Sequence, residues 1–151
     1  MPDTLFDSTT DRFSLPLLFA GQAQTEMFVN EMAARLDALL FLAVEAEAAI
    51  PPPEPQDGQS WLVGENPAGQ WSGQAGRIVS RQAGNWLFTK PVPGMTLFNR
   101  ATGQEMYFRG TWLAAAKPEL PTGGATIDQE ARTAIGAIIA ALTTAGIITD
   151  R

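Results

Sequence analysis

The chain has 151 residues, no cysteine, no histidine and a net charge of −6. That length suits one domain with appendages, and the missing side chains exclude disulfides, thiolate metal sites and the usual nucleophile–histidine pairs. An acidic balance also argues against a nucleic-acid partner, because phosphate neutralisation needs clustered lysine and arginine.

Residues 1–13 are polar and acidic, with Leu5 and Phe6 as isolated large apolar side chains. They cannot build a core alone, so a flexible arm is expected, either disordered or carrying Leu5 and Phe6 into pockets on a partner. The opening "MPDTLFDSTTDRF" lacks the basic and apolar regions of a signal peptide, so export by that route is not expected.

Residues 14–50 read as a long N-terminal helical region. An apolar lead-in, "LPLLF" at 15–19, reaches Gly21, where the chain can turn. Val29, Met32, Leu36, Leu39, Ala43 and Ala46 then recur at spacings of 3 and 4, which predicts a helix over 22–49. Glu31 and Arg35 stand in the favourable i, i+4 order, and Pro51, Pro52 and Pro53 end the element. Gln22 and Gln24 at its head are neutral amides that both donate and accept, suited to meeting their own copies near a symmetry axis.

A proline-rich linker is expected over 51–59. Residues 60–114 carry short apolar-aromatic runs, "SWLVG", "RIVSR", "NWLF", "MTLFN" and "MYFRGTWLA", separated by Gly, Asn and Pro. They predict five or six strands in a small antiparallel β-meander, curled as a half-barrel or sandwich, with "QAGN" and "ATGQ" as hairpin connections. Trp71, Trp86 and Trp112 each follow a Gly and one further residue, a weak internal repeat.

After a second linker at 115–125, residues 126–148 read as a C-terminal oligomerisation helix. Thr126 and Gln129 fit a capping box, Asp128 and Glu130 suit the first turn, and Gly146 is placed for a left-handed C-cap with Ile147 over Leu142. Ala131, Ile135, Ile138, Leu142 and Ala145 fall on a and d positions, and isoleucine at both favours three or four strands over a parallel dimer. A coiled-coil-like trimer and a helix folded back on its own domain both fit the pattern. The overall expectation is an α+β chain: long helix, β-meander, C-terminal helix.

The charge is uneven. Residues 1–60 hold two basic and ten acidic side chains, whereas residues 61–120 hold six basic and three acidic. Subunits could meet through these opposite signs, or both faces could simply be solvated.

Chemistry is harder to find. Glu65 and Glu105 are the only carboxylates of the strand region that could pair for glycoside hydrolysis, without a polar cluster to tune them. Ser72 or Ser80 with Lys90 lacks any nucleophile-elbow context, and "GQWSGQAG" lacks the strand-to-helix setting of a phosphate loop. No catalytic residue, metal ligand or cofactor is assigned. Trp71, Trp86 and Trp112 fit either a core or a platform for stacking sugar rings. No segment predicts a membrane span, since the most apolar run is broken by Glu45 and Glu47.

Laid in order, "LPLLFAGQAQ" at 15–24, Asn30 and Glu31, "LDAL" at 36–39, "GQSWLVG" at 58–64, "GQWSG" at 69–73, "NWLF" at 85–88 and "GTW" at 110–112 resemble one family. It is a domain-of-unknown-function family common in prophage-like and gene-transfer-agent structural gene clusters, and the resemblance covers about residues 13–113. The tail from Gly123 looks like a C-terminal helix that recurs in phage tail and fibre-like proteins. Both imply a non-enzymatic structural protein of a phage or phage-like particle, as fibre, head or tail spike, or adaptor. Its partners would be its own copies, as a homotrimer, and other particle proteins, with a host-surface glycan as the alternative, in a virion assembled in the bacterial cytoplasm. The chain departs from the family pattern at acidic "TEMFVNEM" and at Met95, and in lacking a long receptor-binding tail, which favours an adaptor or short fibre. The predicted oligomer interface is Gln22, Gln24, Met32, Leu36, Leu39, Ile135, Ile138 and Leu142.

Overall fold

The computed structural model describes residues 8–18, 21, 25–124 and 128–149. Leu5, Phe6, Gln22, Gln24 and Thr126 lie outside the described residues. The chain divides into two compact units, Met1–Pro91 and Val92–Arg151, so the strand region expected as one meander over 60–114 is shared between them.

The first unit opens with a small hairpin. Thr9 bridges Pro16 antiparallel, with Thr10 N–H donating to Leu15 O at 3.0 Å and Leu17 N–H to Ser8 O at 3.1 Å. Within the expected arm, residues from Ser8 onward are therefore paired. Asn30 holds the lead-in by both sides of its amide, accepting from Leu18 N–H at 2.8 Å and donating to Leu18 O at 3.0 Å.

Helix α1 spans Thr25–Leu39, which corrects the helix expected over 22–49. Two causes end it a decade early. Phe41 takes a φ of 45°, and the Arg12 guanidinium donates to the carbonyls of Asp37 (2.8 Å), Ala38 (2.9 Å) and Phe41 (3.1 Å), satisfying C-terminal groups that further helix would have used. Beyond it the burial period changes from 3.6 to 2: Leu42 and Val44 are buried, Ala46 and Ala48 half-buried, and Glu47 exposed. That is a strand pattern, and it yields β1 (Ala43–Val44) and β2 (Glu47–Ala48).

Strands β2, β3 (Ser60–Val63), β4 (Ile78–Gln82) and β5 (Asn85–Thr89) form one sheet in that order. Strands β2 and β3 pair parallel, and the other two pairs are antiparallel. The parallel edge is a second departure from the expected antiparallel meander. The proline-rich stretch closes back on this sheet: Gly58 N–H donates to Arg81 O, and Arg81 N–H to Gln59 O, both at 2.8 Å. Trp61, Val63, Trp71 and Val79 make the core, flanked by Ala46, Ala48, Trp86 and Phe88. A one-turn 3-10 helix, Gly69–Trp71, delivers Trp71 into it with no solvent exposure. Three indoles then pack at centroid distances of 5.3–6.2 Å, two of the pairs edge-on, the geometry that ring quadrupoles prefer.

In the second unit β6 (Thr96–Asn99), β7 (Gln104–Phe108) and β8 (Trp112–Ala114) pair antiparallel in sequence. Helix α2 spans Gln129–Thr144, and its N-cap is Asp128, whose carboxylate accepts from Ala131 N–H at 2.9 Å. Asp128 thus takes the capping role expected of Thr126. The C-terminal end is as the sequence predicts: Gly146 has a φ of 71°, Ile147 N–H reaches Leu142 O and Gly146 N–H reaches Thr143 O, each at 3.0 Å. This Schellman pattern satisfies carbonyls the last turn leaves open. Buried Gln104 fixes the helix end to the sheet by donating to Ile147 O at 2.8 Å, while Glu105 N–H reaches Gly146 O at 2.7 Å.

Candidate functional site

Helix α1 is held by small and polar residues and presents its large apolar ones. Its inward side is Ala33, Asp37 and Ala38, all buried. Asp37 accepts from Thr10 Oγ1 (2.6 Å), Phe13 N–H (2.7 Å) and Arg12 N–H (3.0 Å), so the hairpin is bound along that side. The opposite side carries Phe28, Met32 and Leu36 at i, i+4 and i+8, exposed by 74%, 57% and 49%. With half-buried Leu39 and the Glu31–Arg35 ion pair, 2.6 Å between charges, they line a groove of about 320 Å³. Met32, Leu36 and Leu39 of the predicted interface therefore lie together on one open face.

Helix α2 divides its stripe differently from the expected a/d seam. Ile139, outside that seam, is the residue the unit buries, and with half-buried Arg132, Gly136 and Thr143 it marks the inner side. Arg132 donates from that helix to Pro121 O at 2.9 Å and to Gly123 O. Ile135 and Ile138 remain exposed, and Leu142 is half-buried. Folding back on its own unit thus uses one side of the helix and leaves the two predicted isoleucines open.

The tryptophans separate by burial. Trp71 is sealed in the core and cannot stack on a sugar. Trp86 is half-buried, with Arg81 4.9 Å above its ring and its indole N–H donating to Gln70 at 2.6 Å. Trp112 packs on Phe108 at 5.1 Å in the second unit. Glu65 and Glu105 are both exposed and belong to different units. Ser80 is buried and bonded to Ser60 Oγ at 2.8 Å, which spends the hydroxyl on the core. Among the described residues no group of three or more acidic side chains could hold a metal ion, and no helix is long and apolar enough to cross a membrane.

A cleft of about 610 Å³ in the first unit was not foreseeable from spacing, because the hairpin, α1, the loop at Asp57 and the β4–β5 turn all contribute to it. Its acidic wall is tight. Asp11 Cβ lies 3.0 Å from where a Cβ on Gly58 would stand, which places it beside Asp57. Burial, then the charges of Asp57 and Asp37, push the Asp11 carboxyl above its ordinary value. Asp57 accepts from Gly84 N–H at 3.0 and 3.2 Å and lies 3.9 Å from Arg81.

Residues 29–113, more than half of the chain, match the family described as "Protein of unknown function (DUF2793)". No curated protein matches the chain.

Proposed function

Since the chain belongs to this family of unknown function, we propose from its open helix faces that it is a homo-oligomeric structural component of a phage or phage-like particle. Its role there is that of a fibre, spike or adaptor, without enzymatic activity. The observation that carries the reading is the α1 face: Phe28, Met32 and Leu36 in one row, more than 45% exposed each, on a helix whose other side is already fixed. Burying three such side chains is worth several kcal/mol, at about 1.5–3 kcal/mol each. Its occupant is a second copy, whose own Glu31 and Arg35 would flank the same row with complementary charge. Ile135 and Ile138 of α2 add a further apolar contact, and isoleucine at those positions supports three strands.

Light scattering tests this directly. The wild type should run near three times the 16.2 kDa chain mass, and Leu36→Asp or Ile138→Asp should reduce it to one. A wild-type mass of a single chain would remove the oligomer, and an unchanged mass for Ile138→Asp would remove α2 from the interface. Immunogold labelling of purified particles tests the location; unlabelled particles would overturn it.

A further inference from the structure

The cleft of the first unit combines three features that converge on one ligand chemistry. Its lining includes the apolar side chains of Met27, Ala34 and Leu87. On its rim Asp11 and Asp57 repel one another, the interaction that, after burial, raises the Asp11 carboxyl. The third carboxylate, Glu31, is engaged by Arg35 at 2.6 Å, whereas the cation facing Asp57, Arg81, stands farther off at 3.9 Å. The remaining feature is independent of charge: Gln82 lines the cleft, is 8% exposed, and its Nε2 finds no acceptor. A buried amide donor left unpaired is costly, and a carbonyl brought into the cleft would supply the acceptor it lacks.

We propose that this cleft binds a lysine residue of a partner polypeptide. The ammonium sits between the carboxylates of Asp11 and Asp57, where it removes their mutual repulsion. The methylene stem covers Met27, Ala34 and Leu87, as long cationic side chains do on apolar surfaces. A main-chain carbonyl of the same peptide accepts from Gln82 Nε2. Gly84 lies at the edge of this arrangement, its N–H held by Asp57, and so reports on that carboxylate. The site uses only residues of the first unit and does not depend on the oligomeric reading: a monomeric chain would still bind.

Nitrogen-edited NMR of the full chain distinguishes the contributions. Nα-acetyl-lysine N-methylamide should shift the Gly84 amide and the Gln82 side-chain amide saturably, with a Kd of about 1–5 mM. 1,5-Diaminopentane, which has the ammonium but no carbonyl, should move Gly84 and leave Gln82 in place. Nα-acetyl-norleucine N-methylamide should move neither. Asp11→Asn, at an exposed position, should weaken the lysine compound about tenfold, the loss expected for one close charge pair, with the rest of the spectrum unchanged. Equal binding of the norleucine compound, or no saturable shift of either amide, would overturn the proposal. If diaminopentane shifted Gln82 as strongly as the lysine amide, the peptide assignment would fail.

Discussion

Asp37 is fully buried, yet its carboxylate meets Thr10 Oγ1 and the amides of Arg12 and Phe13. A buried anion persists only when such donors replace water. Asp37→Ala would leave those groups without their acceptor, at about 1–3 kcal/mol for each that stays buried. A total of roughly 3 kcal/mol lowers Tm by about 6–12 °C at this chain length. Asp37→Asn keeps one acceptor oxygen and turns an NH₂ toward the second amide, so its loss should be smaller. Calorimetry on the two variants checks the order: equal Tm values would mean that the one oxygen asparagine retains recovers none of these hydrogen bonds.

At the level of elements, the two helices were legible to different depths because different physics sets their ends. The end of α2 is local: Gly146 adopts a φ of 71°, and its spacing from Leu142 is enough to predict the cap. Gly146→Ala should cost about 1–2 kcal/mol, because a Cβ is disfavoured in the left-handed region and would stand 3.3 Å from Gly103 O. Tm should then fall by about 2–8 °C, while Gly146→Asn, which tolerates that region, should lose less; an unchanged Tm for the alanine would show that the cap does not hold the helix to the sheet. The end of α1 is tertiary. Arg12, 25 residues away, takes the carbonyls of Asp37 and Ala38, and no helical period contains that information. A partial signal did exist in "VEAEA" at 44–48, whose strict alternation describes a strand better than a helix. The tryptophan turns were readable as strand starts for Trp86 and Trp112. At Trp71 the same motif builds a 3-10 turn, since Gly there permits either. The cleft stayed illegible because Asp11, Gln82 and Met27 meet only through folding, and an unpaired amide has no signature in sequence.

For the whole molecule, two driving forces for association make opposite predictions about salt. One is attraction between the acidic first 60 residues and the basic middle 60; the other is burial of exposed apolar rows against a net charge of −6. Exposed ion pairs contribute about 0–1 kcal/mol each, whereas the side chain of Phe28, 74% exposed, or of Met32, 57% exposed, can bury apolar area worth about 1.5–3 kcal/mol. The apolar term should dominate, and like charge on identical copies should oppose it. Raising ionic strength shortens the Debye length from about 10 Å at 0.1 M to about 3 Å at 1 M, which screens the opposition and leaves the apolar contact intact. Sedimentation equilibrium in sodium chloride should therefore show association tightening across that range, by about three- to tenfold in dissociation constant, equivalent to roughly 0.7–1.4 kcal/mol. Dissociation on adding salt would instead mean that the acidic and basic stretches hold the copies together, and the α1 row would then need a different occupant.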